Sequence, residues 1–188
     1  MPQLPERWIL ETPRLGFRHL RAEDLDALAA MYADPEMRHG FPEGTLTRVQ
    51  TLQEIEWFTQ GHPDYPALGL WAAIEKRSGA FVGRCGLLPW TIQCAFEVEL
   101  AYLIDKRRWR QGLGTEAALG IARYAFQVLR LDRLVSLVLS GNAASAGVAR
   151  ACGMRLERVW DDGQLLTDIY ALNAAAFVPV PLRSGSAR

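Results

Sequence analysis

The chain has 188 residues, 49% of them hydrophobic, and its 21 basic and 21 acidic side chains cancel to a formal net charge of zero. That is enough chain for one domain with a full core. The neutral balance excludes a partner held by bulk positive charge, so neither nucleic acid nor a membrane surface is expected to bind.

The opening MPQLPERWILE has no apolar signal core, and no apolar run approaches the ~20 residues of a membrane span. A cytoplasmic protein is expected. Residues 14–20, RLGFRHL, alternate apolar and polar and predict a strand. AEDLDALAAMYADPE places Leu25, Leu28 and Met31 at helical spacing, with acids in its first turn and Pro35 past its end. Residues 36–46 read as a loop, and RVQTLQEIEWFTQG (48–61) as a second helix closed by Gly61 and Pro63. Three strand-like stretches follow: LGLWAAIEK, AFVGRCGLLPW and CAFEVELAYLID, the first two joined by the turn signal RSG. A helix over 113–129 carries Leu113, Ala117, Ile121, Tyr124 and Val128 on one face. RLVSLVLS predicts a strand, NAASAGVARAC a short helix, and RLERVWDDGQLLTDIYAL a strand–turn–strand unit. The order β-α-α-β-β-β-α-β-α-β-β predicts an α/β (α+β) fold, a mixed sheet with helices on both faces. One domain over 1–173 and a flexible tail over 174–188 are expected.

Cys85, Cys94 and Cys152 are odd in number and form no CxxC, so packing in a reducing compartment is the expectation. His19, His39 and His62 lack ligand spacing, and no metal is expected.

Between the last strand of the central trio and its helix stands KRRWRQGLGTEAALG (106–120). The first amides of a helix lack intrahelical acceptors and carry the positive end of its dipole. No Ser, Thr, Asp or Asn stands just before Leu113 to cap them; Gly112 and Gly114 let a bulky anion approach the backbone. Thr115 adds a hydroxyl, and Arg108 and Arg110 add charge. These features favour a phosphate, against the plainer reading of a tight turn with a solvated basic flank. A P-loop is excluded because Gly-Lys-Ser/Thr is absent. Gly112, Gly114 and Ala117 fit GxGxxA, but six residues separate Asp105 from Gly112, and the next strand ends in Ser140, Gly141 and Asn142 without the ribose-binding acid.

The ordered set ELAYLID, WRQGLGTEA, NAAS and ACGM resembles the cofactor half of the GNAT superfamily of acyl-CoA N-acyltransferases, and most closely its ribosomal-protein-alanine branch. ETPRLGFRHLRAEDLDAL and LTDIYAL resemble that branch's opening strand and helix and its closing strand, so the likeness spans roughly residues 9–172. It implies a mostly antiparallel sheet of about seven strands, splayed between the fourth and fifth. It also implies acetyl-CoA as co-substrate, its pyrophosphate on the backbone of Arg110, Gln111, Gly112, Leu113, Gly114 and Thr115, with Trp109 where Gln or Arg is usual. The backbone of Leu103, Ile104 and Asp105 is implied to pair with the pantetheine arm.

Acylating an amine requires removal of a proton, which a carboxylate can accept. Glu97 and Glu99 lie two apart on one strand face. Glu99 matches the family acid by motif position, Glu97 is the alternative, and an exposed or arginine-paired couple is the structural reading. The tyrosine that many relatives use towards the thiolate is Ala149 here; by resemblance Ser145 serves as thiolate partner and Asn142 touches the pantetheine. Asn142 also reads as a helix N-cap. A backbone N–H near Leu103 is the candidate to polarise the carbonyl. Two functions stay open: an acetyl-CoA-dependent N-acetyltransferase acting directly on a primary amine (a protein N-terminus or a small molecule), and a non-catalytic acyl-CoA sensor. Residues 36–68 and the 160–166 turn are the segments expected to choose the acceptor, with Trp57, Tyr65, Trp71 and Trp90 lining its pocket or packing in the core. A monomer or a homodimer fits equally.

Overall fold

The computed structural model describes residues 8–179. Thirteen elements follow one another: β1 (Leu10–Glu11), β2 (Leu15–His19), α1 (Leu25–Tyr32), α2 (Pro35–Arg38), α3 (Arg48–Phe58), β3 (Gly69–Glu75), β4 (Ala80–Ile92), β5 (Ala95–Ile104), α4 (Leu113–Gln127), β6 (Arg133–Leu139), α5 (Ala143–Ala151), β7 (Arg155–Asp161) and β8 (Leu166–Asn173). The strands form one sheet in the order β1-β2-β3-β4-β5-β6-β8-β7. Every neighbour pair is antiparallel except β5 with β6.

Side-chain alternation along the strands sets the layers. In β3, Leu70, Ala72 and Ile74 join a core with Leu28, Met31, Tyr32, Ile55 and Phe58 of α1 and α3, while Trp71 and Ala73 turn to the opposite core. There they meet Leu113, Ala117, Ile121 and Ala125 of α4 and Ala146 and Ala149 of α5. α4 lies close to the sheet because the residues it turns inward are small: a Cβ on Gly120 would stand 2.5 Å from Thr12. α3 starts at a capping box formed by Thr47 and Gln50.

The expected mixed α/β architecture and sheet are present, with two additions. β1 is a two-residue strand that supplies an eighth member, too short to leave a period in the sequence. The segment expected to be all loop from residue 36 contains α2, because Asp34 caps it by accepting from Glu36 N–H at 2.9 Å and Pro35 fits a first helical turn. Val128, expected on the apolar face of α4, is exposed at its C-cap. Ala174–Ala176 form a short 3-10 turn, and Phe177 packs on Phe126 with ring centres 4.9 Å apart. The remaining residues of the expected tail, 180–188, lie outside the described residues.

The feature that positions the site is the join between β5 and β6. Their ladder has a single register pair, Glu99 with Val135. β4 and β5 pair without interruption from Gly83–Ile104 to Ile92–Ala95. Beyond Glu99, therefore, β5 keeps its β4 edge and parts from β6.

Candidate active site

Asp105 N–H donates to Val82 carbonyl at 2.9 Å, which makes that couple a hydrogen-bonded pair of the antiparallel ladder. By alternation Leu103 is bonded to Arg84 of β4, whereas Tyr102 and Ile104 turn their main-chain groups towards the parting. Two contacts agree with this: Ser136 Oγ reaches Leu100 carbonyl across the join, and Trp109 Nε1 donates to Ile104 carbonyl at 2.7 Å. Pro89, which has no N–H, occupies a non-hydrogen-bonded position opposite Val98. The expected main-chain donors at Leu103 and Asp105 are thus turned away, and those of Tyr102 and Ile104 face the gap. The Asp105 side chain is bound to Arg107, which holds its carboxyl below the usual range.

At the mouth of the gap α4 begins. Gly112 is its N-cap in the left-handed region (φ 75°), with no side chain capping the helix. The first amide with an internal acceptor is Glu116, bonded to Gly112 carbonyl at 3.0 Å. The N–H groups of Leu113, Gly114 and Thr115 precede it and have no intrahelical acceptor. A Cβ on Gly114 would touch only Val148 and Ile104, at 3.8 and 3.9 Å. This open cradle fits a diphosphate. Replacing Gly112 by Ala is expected to cost about 1 kcal/mol, because an L side chain resists this φ; a lowered melting midpoint checks it.

Most of the basic run is committed elsewhere. Lys106 pairs with Asp34 at 2.6 Å and Glu36 at 3.1 Å, Arg107 with Asp105, and Arg108 with Glu75 at 3.4 Å. Among the described residues, Arg110 is the one cation of the run left without a carboxylate within 4 Å. Gln111 is also held internally, its carbonyl accepting from Arg14 at 2.8 Å.

The two glutamates of β5 differ sharply. Glu97 is 6% exposed and clasped by Arg133 at 3.0 Å, with Arg158 at 3.9 Å. Glu99 is half-buried at the point where β5 and β6 part, and accepts from Trp90 Nε1 at 2.7 Å and from the main chain of Leu137 on β6. Burial raises its carboxyl above the ordinary glutamate range, against the pull of Trp90 and Arg84.

On the far bank, Asn142 caps α5 by accepting from Ser145 N–H at 3.1 Å. Ser145 Oγ shares a 2.9 Å hydrogen bond with the phenol of Tyr102, which also donates to Ser145 carbonyl at 2.9 Å. Burial pushes the Tyr102 phenol up to about 12. Sequence reasoning missed Tyr102; its strand position facing NAAS was the available signal. Cys152 is buried and its thiol is pushed up to about 12, so it is not an attacking thiolate. Cys85 is likewise buried, but Cys94 is exposed at the β4–β5 turn, which corrects the expectation of three packed cysteines. Trp71 packs in the core, whereas Trp57, Tyr65 and Trp90 reach the surface. Among the described residues no group of three His, Cys, Asp or Glu is placed to hold a metal ion, and no helix is long and apolar enough to cross a membrane.

A parted sheet beside an uncapped helix start makes a cleft with free main-chain donors suited to a phosphorylated ligand, and a half-buried carboxylate stands at its branch point. Residues 14–155 match the acetyltransferase (GNAT) domain, and the chain belongs to that family. A relative from Bacillus subtilis, the uncharacterized protein YkkB, is 29% identical over 150 residues, covering 79% of this chain and 86% of its own. A GNAT-family acetyltransferase from Bacillus anthracis shares the fold with a TM-score of 0.75 and 20% identity, over 88% of this chain and 98% of that one. So does spermidine N-acetyltransferase from Vibrio cholerae, solved with CoA and spermine, at 0.69 and 14% identity over 87% and 97%.

Proposed function

We propose that the protein moves an acetyl group from acetyl-CoA directly to a primary amine, both substrates being bound together. The observation that carries this reading is the state of Glu99: a carboxyl raised by burial at the branch of the sheet, while its neighbour Glu97 is locked to Arg133. A carboxylate in that state accepts the ammonium proton more readily than an exposed one. Acetyl-CoA supplies the thioester, whose C–S bond breaks as the C–N bond forms. Amides 113–115 and Arg110 hold the diphosphate, and the Tyr102 and Ile104 main chain borders the arm. Ser145 and Tyr102 present hydroxyl protons from the sheet face opposite Glu99, where the departing sulfur requires one. Asn142 acts through its cap, which fixes the first turn bearing Ser145.

The test is free-thiol release on mixing protein, acetyl-CoA and an amine panel. Thiol released together with acetylated amine supports the reading. Tight CoA binding with no release across the panel overturns it in favour of an acyl-CoA sensor.

A further inference from the structure

Arg84 projects from β4 onto the α1/α3 face and is only 4% exposed. A guanidinium cannot shed its charge, and burying one is costly unless it is paired. Yet its protein hydrogen bond is Nε to Tyr32 Oη at 2.8 Å, with Tyr32 donating onward to Glu54. Among the described residues no carboxylate oxygen lies within 4 Å of Arg84, so the fork of terminal N–H groups, the part that grips a carboxylate bidentately, has no protein acceptor.

A second buried cation stands beside it. Arg38, 3% exposed, gives Nε to Gly44 carbonyl at 2.6 Å and one terminal nitrogen to Glu43 at 3.2 Å. Both guanidiniums lie on the same two rings: Arg38 at 4.9 Å from Tyr32 and 4.1 Å from Phe41, Arg84 at 5.7 and 5.3 Å. Burial lowers the Arg38 pKa, and the charge of Arg84 lowers it further. Three carboxylates surround the pair, each with a first claim elsewhere or at the rim. Glu54 bonds Tyr32, Glu99 bonds Trp90, and Glu43 is a rim residue whose side chain is 61% exposed. Glu43 alone reaches either cation, through Arg38.

Position ties this pair to the reaction. Arg84 faces Leu103 and Leu88 faces Glu99 in the ladder, so Arg84 and Glu99 share one sheet face, four residues apart along the strands. At ~3.3 Å per residue that is about 13 Å between backbones, much of which two long side chains span. The segment over the arginines also reaches the other bank: a Cβ on Gly40 would lie 3.6 Å from Asn142 Nδ2.

Resting on the transfer reading, we propose that the acceptor amine carries a carboxylate, and that Arg84, with Arg38 beside it, binds that group while Glu99 faces the amine. Glu43 is the internal stand-in that the acceptor displaces. The carboxylate belongs either to a free amino acid or to an acidic residue heading a peptide, and the acceptor panel separates the two.

Two arms test this on the full chain with CoA present. In the first, N-acetylated α- and ω-amino acids, N-acetylated Asp- and Glu-headed peptides, and the amides of all of these are titrated calorimetrically. Acids bind at least about ten-fold more tightly than amides, as charge-assisted bonds allow. Arg84→Gln removes that preference with its circular dichroism unchanged. Glu43→Gln, a surface change that holds if Arg84→Gln fails to fold, tightens acids several-fold more than amides. Equal binding of acids and amides by the wild type, or no gain for acids in Glu43→Gln, overturns the proposal. In the second arm, thiol release is followed with the matching free amines. Equal kcat/KM for acids and amides overturns the carboxylate site and leaves acetyl transfer standing. No release from any amine overturns acetyl transfer, and the binding arm then decides the carboxylate site by itself.

Discussion

Glu99→Gln lowers kcat by about 10²–10⁴-fold, the range general-base removal produces, with CoA affinity unchanged by calorimetry. The amide keeps the shape and can still accept from Trp90 Nε1, but it cannot take a proton at neutral pH. Glu97→Gln has the opposite profile. It leaves kcat near wild type and destabilises the fold, since the buried Glu97 carboxylate that anchors the half-exposed Arg133 is lost and only Glu157 at the surface still holds that arginine. Equal loss of kcat in both variants would remove Glu99 from its role. The pH dependence follows the same logic. The base must be ionised, so kcat/KM falls as pH drops through the raised Glu99 pKa, an acid limb above the usual glutamate range that Glu99→Gln abolishes. The stability sign is the reverse of the common carboxylate case. A folded pKa above the unfolded one means the folded state favours the protonated form. That contribution is full below the unfolded pKa and is lost as pH rises through the folded one. Glu99→Gln therefore melts higher than wild type at neutral pH.

The largest stability effect is expected at Glu116. This carboxylate is 5% exposed in the first turn of α4, where it accepts from Thr12 Oγ1 at 2.6 Å, Arg14 N–H at 2.7 Å and Arg14 Nε at 2.5 Å. Arg14 in turn holds the Gln111 carbonyl. One acid thus ties the N-terminal strand, the glycine loop and the helix start together, and its charge complements the helix dipole. Glu116→Ala leaves the Thr12 hydroxyl and two Arg14 donors without their acceptor, a loss of about 3–5 kcal/mol. In a chain of this size that is roughly 10 °C of melting midpoint. It also frees the loop at Gln111, so CoA binds more weakly in the variant that remains folded. Thermal unfolding and CoA titration read the two effects separately, and a midpoint within 2–3 °C of wild type, taken as roughly 1 kcal/mol, refutes the tether.

Much of this was legible in the residues. The alternation over 14–20, the apolar run over 68–74 and the stripe over Leu113, Ala117 and Ile121 announce themselves through local pattern alone. The uncapped Gly112 did so through the absence of a capping residue. What stayed hidden depends on contacts between distant segments. Nothing local says that Arg133 removes Glu97 from the chemistry, or that Asp34, Glu75 and Asp105 neutralise Lys106, Arg108 and Arg107. The direction of Leu103 against Ile104 is set by ladder register with β4, which a one-residue slip would invert. Arg84 reads as an ordinary polar interruption in AFVGRCGLLPW until Tyr32, Phe41 and Arg38 are brought around it.

A sheet normally guards its outermost strands, since unpaired peptide groups invite unwanted partners. Here the break between Glu99 and Ile104 creates an edge indoors, roofed by α4 and α5. A guest that completes it is recognised through the common skeleton that every residue shares, and not through side chains. Side-chain changes along β5 can therefore reshape the α1/α3 face while the main-chain groups of that edge stay the same.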